Sequence, residues 1–282
     1  MSIYPDCIPC ILNQSLYAAR TAKINDEKTQ MEIMKHVIRE LNNIDNFETA
    51  PEFSVKIHNI VKAFSGIDNP YEEIKVRNLK RALKFIPYLQ TYINSSDDKL
   101  EQAVRAAILG NVIDLGANRD FNLEYEINRI SSNNIVLKDY LSFKEEVYKA
   151  EYILYIGDNA EEAVFDKLLI EQLKPKKIIF AVRDNNILND ITIEFAKKIE
   201  LDKLAEVISS GSKIAGTNLK ETNKVFNEIF LNAPVVIAKG QGNYETLLHE
   251  DRPIFFMFKV KCDVISKICG YPIGTSMLFY KK

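Results

Sequence analysis

"EYILYIGDNAEEAVFDKLLIEQLKPKKIIFAV", residues 151–182, holds two apolar runs, YILYI and KIIFAV, on either side of a stretch long enough for a crossover helix. A strand on a half-solvated sheet alternates apolar and polar residues. An unbroken run calls for a sheet covered on both faces, as in parallel βαβ units. The same grammar recurs outward from this unit: NNIVL (133–137) precedes it, and AEVISSG (205–211), PVVIAKG (234–240) and IFFMFKV (254–260) follow. DITIEFAKKIE (190–200) and TNLKETNKVFNEIFL (217–231) supply further crossover helices. Right-handed crossovers then predict an α/β fold, a Rossmann-like α/β/α sandwich with a mostly parallel sheet.

From about residue 10 to 118 the spacing changes to three and four. ILNQSLYAARTA (11–22), EKTQMEIMKHVIRELNNI (27–44), VRNLKRALKFIPYLQTYI (76–93) and DKLEQAVRAAILGNVIDLGA (98–117) each read as a helix, with Asp26 and Ser96 as N-caps. FSGIDNPYEEIK (64–75) carries turn residues and joins a helix pair. The chain is therefore expected to divide into an N-terminal all-helical region, 1–125, and an α/β domain, 126–282.

The 282 residues carry a formal charge of −2 and 46% hydrophobic residues, which fits a folded globular protein and offers no global positive field for nucleic acid. The N-terminal stretch does not resemble a signal peptide, and no run of about 18 apolar residues suggests a membrane span. The expectation is a cytoplasmic protein with no nucleic-acid or membrane partner; a homo-oligomer is allowed. Four cysteines are too few for a disulfide framework, so reduced thiols are expected. Cys7 and Cys10 form a CxxC pair that reads as half a zinc site, a redox pair or a turn at a helix start.

In open parallel sheets ligands bind beyond the carboxyl ends of the strands, so the residues after each run are the candidate site. Gly157-Asp158-Asn159 follow YILYI; Asn189-Asp190 lie beyond KIIFAV; Lys239-Gly240-Gln241-Gly242-Asn243 end PVVIA; Lys261 follows FFMFKV. Asp158, Asn159 and Asp190 are hard oxygen donors suited to Mg²⁺ or Mn²⁺. Lys239, Lys261 and the amides of the GQGN turn suit phosphate oxygens. Helix capping is the competing reading for Asp158, Asn159 and Asp190. Asn111 and Asp114 share one face of an apolar helix and either bond the helical layer to the sheet or line the cleft. These residues point to a phosphorylated small ligand with a divalent metal, without fixing a reaction.

CxxC at 7–10, GIDNPYEEIK at 66–75, LGNVID at 109–114, GDNAEEAVFD at 157–166, LNDIT at 188–192, AKGQGNYETL at 238–247 and KVKCDV at 259–264 occur in order along nearly the whole chain. This set resembles the damage-control phosphatases, the metal-dependent family formerly called domain of unknown function eighty-nine, and its CxxC resembles the first, largely prokaryotic subfamily. The resemblance implies a helical region packed on a Rossmann-like domain and hydrolysis of phosphate esters of small damaged or surplus metabolites, such as sugar phosphates. It implies Mn²⁺, Ni²⁺, Co²⁺ or Mg²⁺ held by Asp158, Asn159 and Asp190, the residues also expected to act in catalysis. It implies substrate-phosphate contacts along Gln241–Glu245, with Gly240 and Asn243 in that turn, and at Lys261, with Asn111 and Asp114 close by. Glu161, Asn69 and the pair Asp184-Asn185 depart from the family pattern. An S-adenosylmethionine-dependent methyltransferase is the rival enzyme and wants a glycine-rich loop that GDNAEE does not supply. A metal-binding interaction module without catalysis is the second rival.

Overall fold

A computed structural model of the chain describes residues 3–110 and 135–282. Asn111, Asp114 and the expected boundary at 125 lie outside the described residues. Six helices come first: α1 Cys7–Thr21, α2 Glu27–Leu41, α3 Ala50–Ser65, α4 Glu72–Leu83, α5 Ile86–Asn94 and α6 Lys99–Gly110. Then come β1 Ile135–Val136, α7 Tyr140–Lys149, β2 Tyr152–Ile156, α8 Ala163–Gln172, β3 Lys177–Val182, α9 Ile193–Lys198 and β4 Glu206–Ser209. The chain ends with α10 Lys224–Asn232, β5 Val235–Lys239, α11 Gly240–Leu247, β6 Ile254–Lys259, α12 Asp263–Cys269 and β7 Ser276–Lys281.

The strands form one sheet in the order β1-β7-β6-β5-β2-β3-β4, parallel except where β7 runs antiparallel to β6. Side chains alternate between the two faces. Ile153, Tyr155, Ile178, Phe180, Ile237 and Met257 share a core with α4 to α9; Leu154, Ile156, Ile179, Val236, Phe256 and Phe258 share one with Phe226, Tyr244, Leu247 and Ile265 of α10, α11 and α12. Both faces are dry, which explains the unbroken apolar runs. A separate core of Ile11, Ala18, Ile33, Val37, Phe53, Ile57 and Val61 holds α1, α2 and α3 together.

Three local expectations are corrected. The run 76–93 is two helices, because Pro87 lacks an N–H and its ring crowds the preceding turn; it sits instead in the first turn of α5, where no donor is needed. The side-chain cap of α6 is Asp98, whose Oδ1 accepts from Glu101 N at 3.1 Å, rather than Ser96. β7, Ser276–Lys281, lies outside the apolar runs read as strands. Asp26 does cap α2, accepting from Thr29 N at 2.8 Å.

From β2 the chain winds through β3 to β4 on one side, then crosses back so that β5 lies on the other side of β2. The two strands diverge in connection at that point, and a crevice opens beyond their carboxyl ends. Gly157-Asp158-Asn159 leave β2 there, beside Gly240 and Gln241 leaving β5.

Candidate metal and phosphate site

Backbone geometry brings two loops together at this crevice. Ile191 N donates to the Asp158 carbonyl and Ala160 N to the Asn189 carbonyl, both at 2.8 Å, so Asn159 and Asp190 face each other across a short antiparallel bridge. The carboxamide of Asn243 joins β2 to β5, donating through Nδ2 to the Gly157 carbonyl at 3.1 Å and to the Lys239 carbonyl at 2.7 Å. Neither carboxylate is a helix cap. α8 begins at Ala163 after Glu162 and α9 at Ile193 after Thr192, and neither has a side-chain cap bond.

Gly240 is a geometric necessity. Its φ is +79°, and a Cβ there would stand 2.0 Å from Asp158 Oδ2. Gly240→Ala is therefore expected to cost about 3 kcal/mol from backbone strain and displaced carboxylate together, read as a fall in the urea midpoint.

Arg183, the residue directly after β3, is 1% exposed and organises the site. Its Nε donates to Asp190 Oδ2 at 2.7 Å, one terminal nitrogen to Thr217 Oγ1 at 3.1 Å, and the other to Asn243 Oδ1 at 3.3 Å while lying 3.8 Å from Asp158 Oδ1. Its place at a strand end was visible in the sequence; its inward direction was not.

Lys239 departs from its expected role. It is wholly buried, with Nζ 2.5 Å from Asp166 Oδ1, 2.8 Å from the Ala107 carbonyl and 3.7 Å from Glu162 Oε2. Tyr155 Oη donates to the same Asp166 oxygen at 2.6 Å. A buried lysine takes carboxylate partners because an unpaired ammonium out of water is costly, and these partners leave it turned away from the cleft. Glu161 does not crowd the strand edge: its Oε1 accepts from Asn78 of α4 at 3.1 Å and from Asn189 at 2.8 Å, tying the helical layer to the Asp190 loop.

Above the crevice is a cleft of about 500 Å³. Asp158, Asn159 and Asp190 lie at its floor; Gln241, Gly242, Glu245 and Lys261 line one side; α1 and α3 contribute Cys7, Cys10, Gln14 and Ser54. Gln241 is fixed there, with Oε1 accepting from Lys261 N at 2.8 Å and Nε2 donating to Glu245 at 2.7 Å. Cys262 also lines the cleft, so the CxxC pair meets a third thiol that distance in the sequence concealed. All four cysteines are free. Burial, helped by the neighbouring Cys262 and Glu245, pushes the Cys10 thiol above its ordinary range.

The charge balance decides what the site accepts. Among the described residues the buried charged side chains are Asp158, Glu161, Glu162, Asp166 and Asp190 against Lys75, Arg183 and Lys239. If all were ionised, these five carboxylates would outnumber the three cations by two. Burial and then the neighbouring Asp190 and Glu162 push Asp158 well above the usual carboxylate range; burial also raises Asp190, against the pull of Arg183. Among the described residues no three His, Cys, Asp or Glu side chains converge closely enough to hold a metal by themselves. Two carboxylates and one carboxamide nevertheless fit a hard divalent ion, which retains water and substrate oxygens in its shell. No helix among the described residues is long and apolar enough to cross a membrane.

The chain is similar to known proteins along nearly its whole length. Residues 3–277 match the family described as the Damage-control phosphatase ARMT1-like domain. An uncharacterized protein of Methanocaldococcus jannaschii is 33% identical over 99% of this chain and 95% of its own length. A damage-control phosphatase of Pyrococcus horikoshii is 32% identical over 100% of this chain and 99% of its own. A crystal structure described as a DUF89 family protein from Pyrococcus horikoshii superposes with a TM-score of 0.89, covering 100% of both chains at 32% identity.

Proposed function

The chain belongs to the damage-control phosphatase ARMT1-like family, and on that premise we propose that it is a divalent-metal-dependent phosphatase of small phosphate monoesters, sugar phosphates among them. The observation that carries this reading is the burial of Asp158 beside Asp190 at the strand ends, where a divalent cation would neutralise both carboxylates. Asp158, Asn159 and Asp190 would hold that ion, whose chemistry is to polarise a phosphoryl group and neutralise charge developing on it.

The chain's own residues do the rest. Arg183 fixes the carboxylate of Asp190 and, through Asn243, the spacing of β2 and β5. Lys261, on the cleft wall, supplies an ammonium for phosphoryl oxygens, and the first amides of α11 point a helix N-terminus toward the same place. α1 and α3 close over the floor and restrict water. The cleft volume suits a single small metabolite better than a polymer.

The test is phosphate release by metal-stripped protein from a panel of sugar phosphates and nucleotides, with Mn²⁺, Co²⁺, Ni²⁺ or Mg²⁺ restored singly. At least one metal is expected to restore turnover on a sugar phosphate. Turnover unchanged by stripping, or absent with every metal, would overturn the proposal.

A further inference from the structure

Asn159 has a carboxylate on either side, and its amide is oriented by them. Its Nδ2 donates to Glu162 Oε1 and also lies 3.3 Å from Asp158 Oδ2. An amide nitrogen only donates and a carboxylate only accepts, so turning the carboxamide over would set its oxygen against two carboxylates. The oxygen of Asn159 therefore faces away from both, on a residue that lines the floor of the cleft. Glu162 cannot swing out to water, because its side chain is 2% exposed. Its second oxygen lies 3.7 Å from Lys239 Nζ, which Asp166 and the Ala107 carbonyl hold in turn.

Given the reading of Asp158, Asn159 and Asp190 as cation ligands, on which this rests, we propose that Glu162, braced by Lys239, is the positioning residue that presents the Asn159 oxygen to the cation. The same geometry explains why position 159 carries an amide beside the carboxylate of Asp158. A third carboxylate there would set acceptor oxygens against Glu162, whereas the amide gives Glu162 a hydrogen bond and keeps an oxygen for the cleft. It also gives the buried Lys239 a purpose: its ammonium, 3.7 Å from Glu162 Oε2, holds that side chain in place.

Mn²⁺ dissociation constants measured by calorimetry on metal-stripped protein test this, with metal-free melting temperatures recorded alongside. Glu162→Gln can offer Asn159 either an oxygen or a nitrogen, so it is expected to bind Mn²⁺ about tenfold to a hundredfold more weakly than wild type. Asn159→Asp adds a negative charge beside the cation, and Coulomb attraction alone would tighten binding. Here it is expected to weaken binding by about tenfold, because the new carboxylate confronts Glu162. Combining Asn159→Asp with Glu162→Gln supplies a donor again, and this double variant is expected to recover most of that loss. A role in stability alone would lower melting temperatures without this recovery. Wild-type affinity in Glu162→Gln, or the same loss from Asn159→Asp in both backgrounds, would overturn the inference while leaving the ligand reading intact. Absence of Mn²⁺ binding by the wild type would overturn both.

Discussion

Asp158→Asn, stripped of metal, is expected to melt about 5 °C above the wild type, and in metal-supplemented buffer to hydrolyse phosphate esters about a thousandfold more slowly. The two effects have one cause. Without a cation, Asp158 is a buried carboxylate beside Asp190 and Glu162, and its raised proton affinity means that folding disfavours its ionised form. The sign follows from linkage: the metal-free folded state holds a proton that the unfolded chain releases near its ordinary pKa. Stability therefore declines as pH rises above about 4 and stops declining once Asp158 ionises in the folded state. Asparagine does not titrate and removes that decline. It also removes one of the two charges a divalent ion would neutralise, so added Mn²⁺ should raise the melting temperature of the wild type and leave the variant almost unmoved. Differential scanning calorimetry across pH 5–8, with and without Mn²⁺, reads all of this. A variant that melts lower than wild type in the absence of metal would contradict the charge imbalance.

Arg183→Met is expected to act in the opposite direction, losing about 4 kcal/mol of stability in urea unfolding with or without metal, a magnitude typical of stripping one partner from a buried ion pair. The guanidinium is fully enclosed, and its loss would leave Asp190 without its 2.7 Å partner, the Thr217 hydroxyl oxygen without its donor, and Asn243 Oδ1 with only the Thr217 hydroxyl at 2.8 Å. Arg183→Lys should recover only part of the loss, since one ammonium on a flexible stem cannot reach Asp190, Thr217 and Asn243 together. A loss below about 1 kcal/mol in Arg183→Met would mean that these contacts contribute little.

How much of this was legible beforehand depended on the physics behind each feature. The apolar runs at YILYI and KIIFAV are a direct consequence of two covered sheet faces, and the α/β class followed from them. Strand order is set by packing of the whole chain, so nothing in PVVIAKG told that β5 would lie beside β2 and make the crevice. β7 alternates weakly and sits at the far end of the chain; its partner β6 is what makes it a strand. The strand-end rule found Asp158, Asn159, Asp190, Gly240, Gln241 and Lys261, all now at or around one crevice. It could not tell which way a side chain turns. Lys239 and Arg183 both end strands, yet both point inward to carboxylates, and neither burial is visible from spacing. Glu162 drew no notice in the sequence, where only the adjacent Glu161 stood out. Its neighbour Glu161 ties α4 to a loop, whereas Glu162 faces Asn159, and only the coordinates separate them.

Anomalous diffraction from crystals grown with Mn²⁺ would locate the ion directly. One peak beyond the carboxyl ends of β2 and β3, bonded to Asp158, Asp190 and the oxygen of Asn159, is the expected result. A peak at Cys7, Cys10 and Cys262 with none near Asp158, or no peak in the cleft at saturating Mn²⁺, would contradict it.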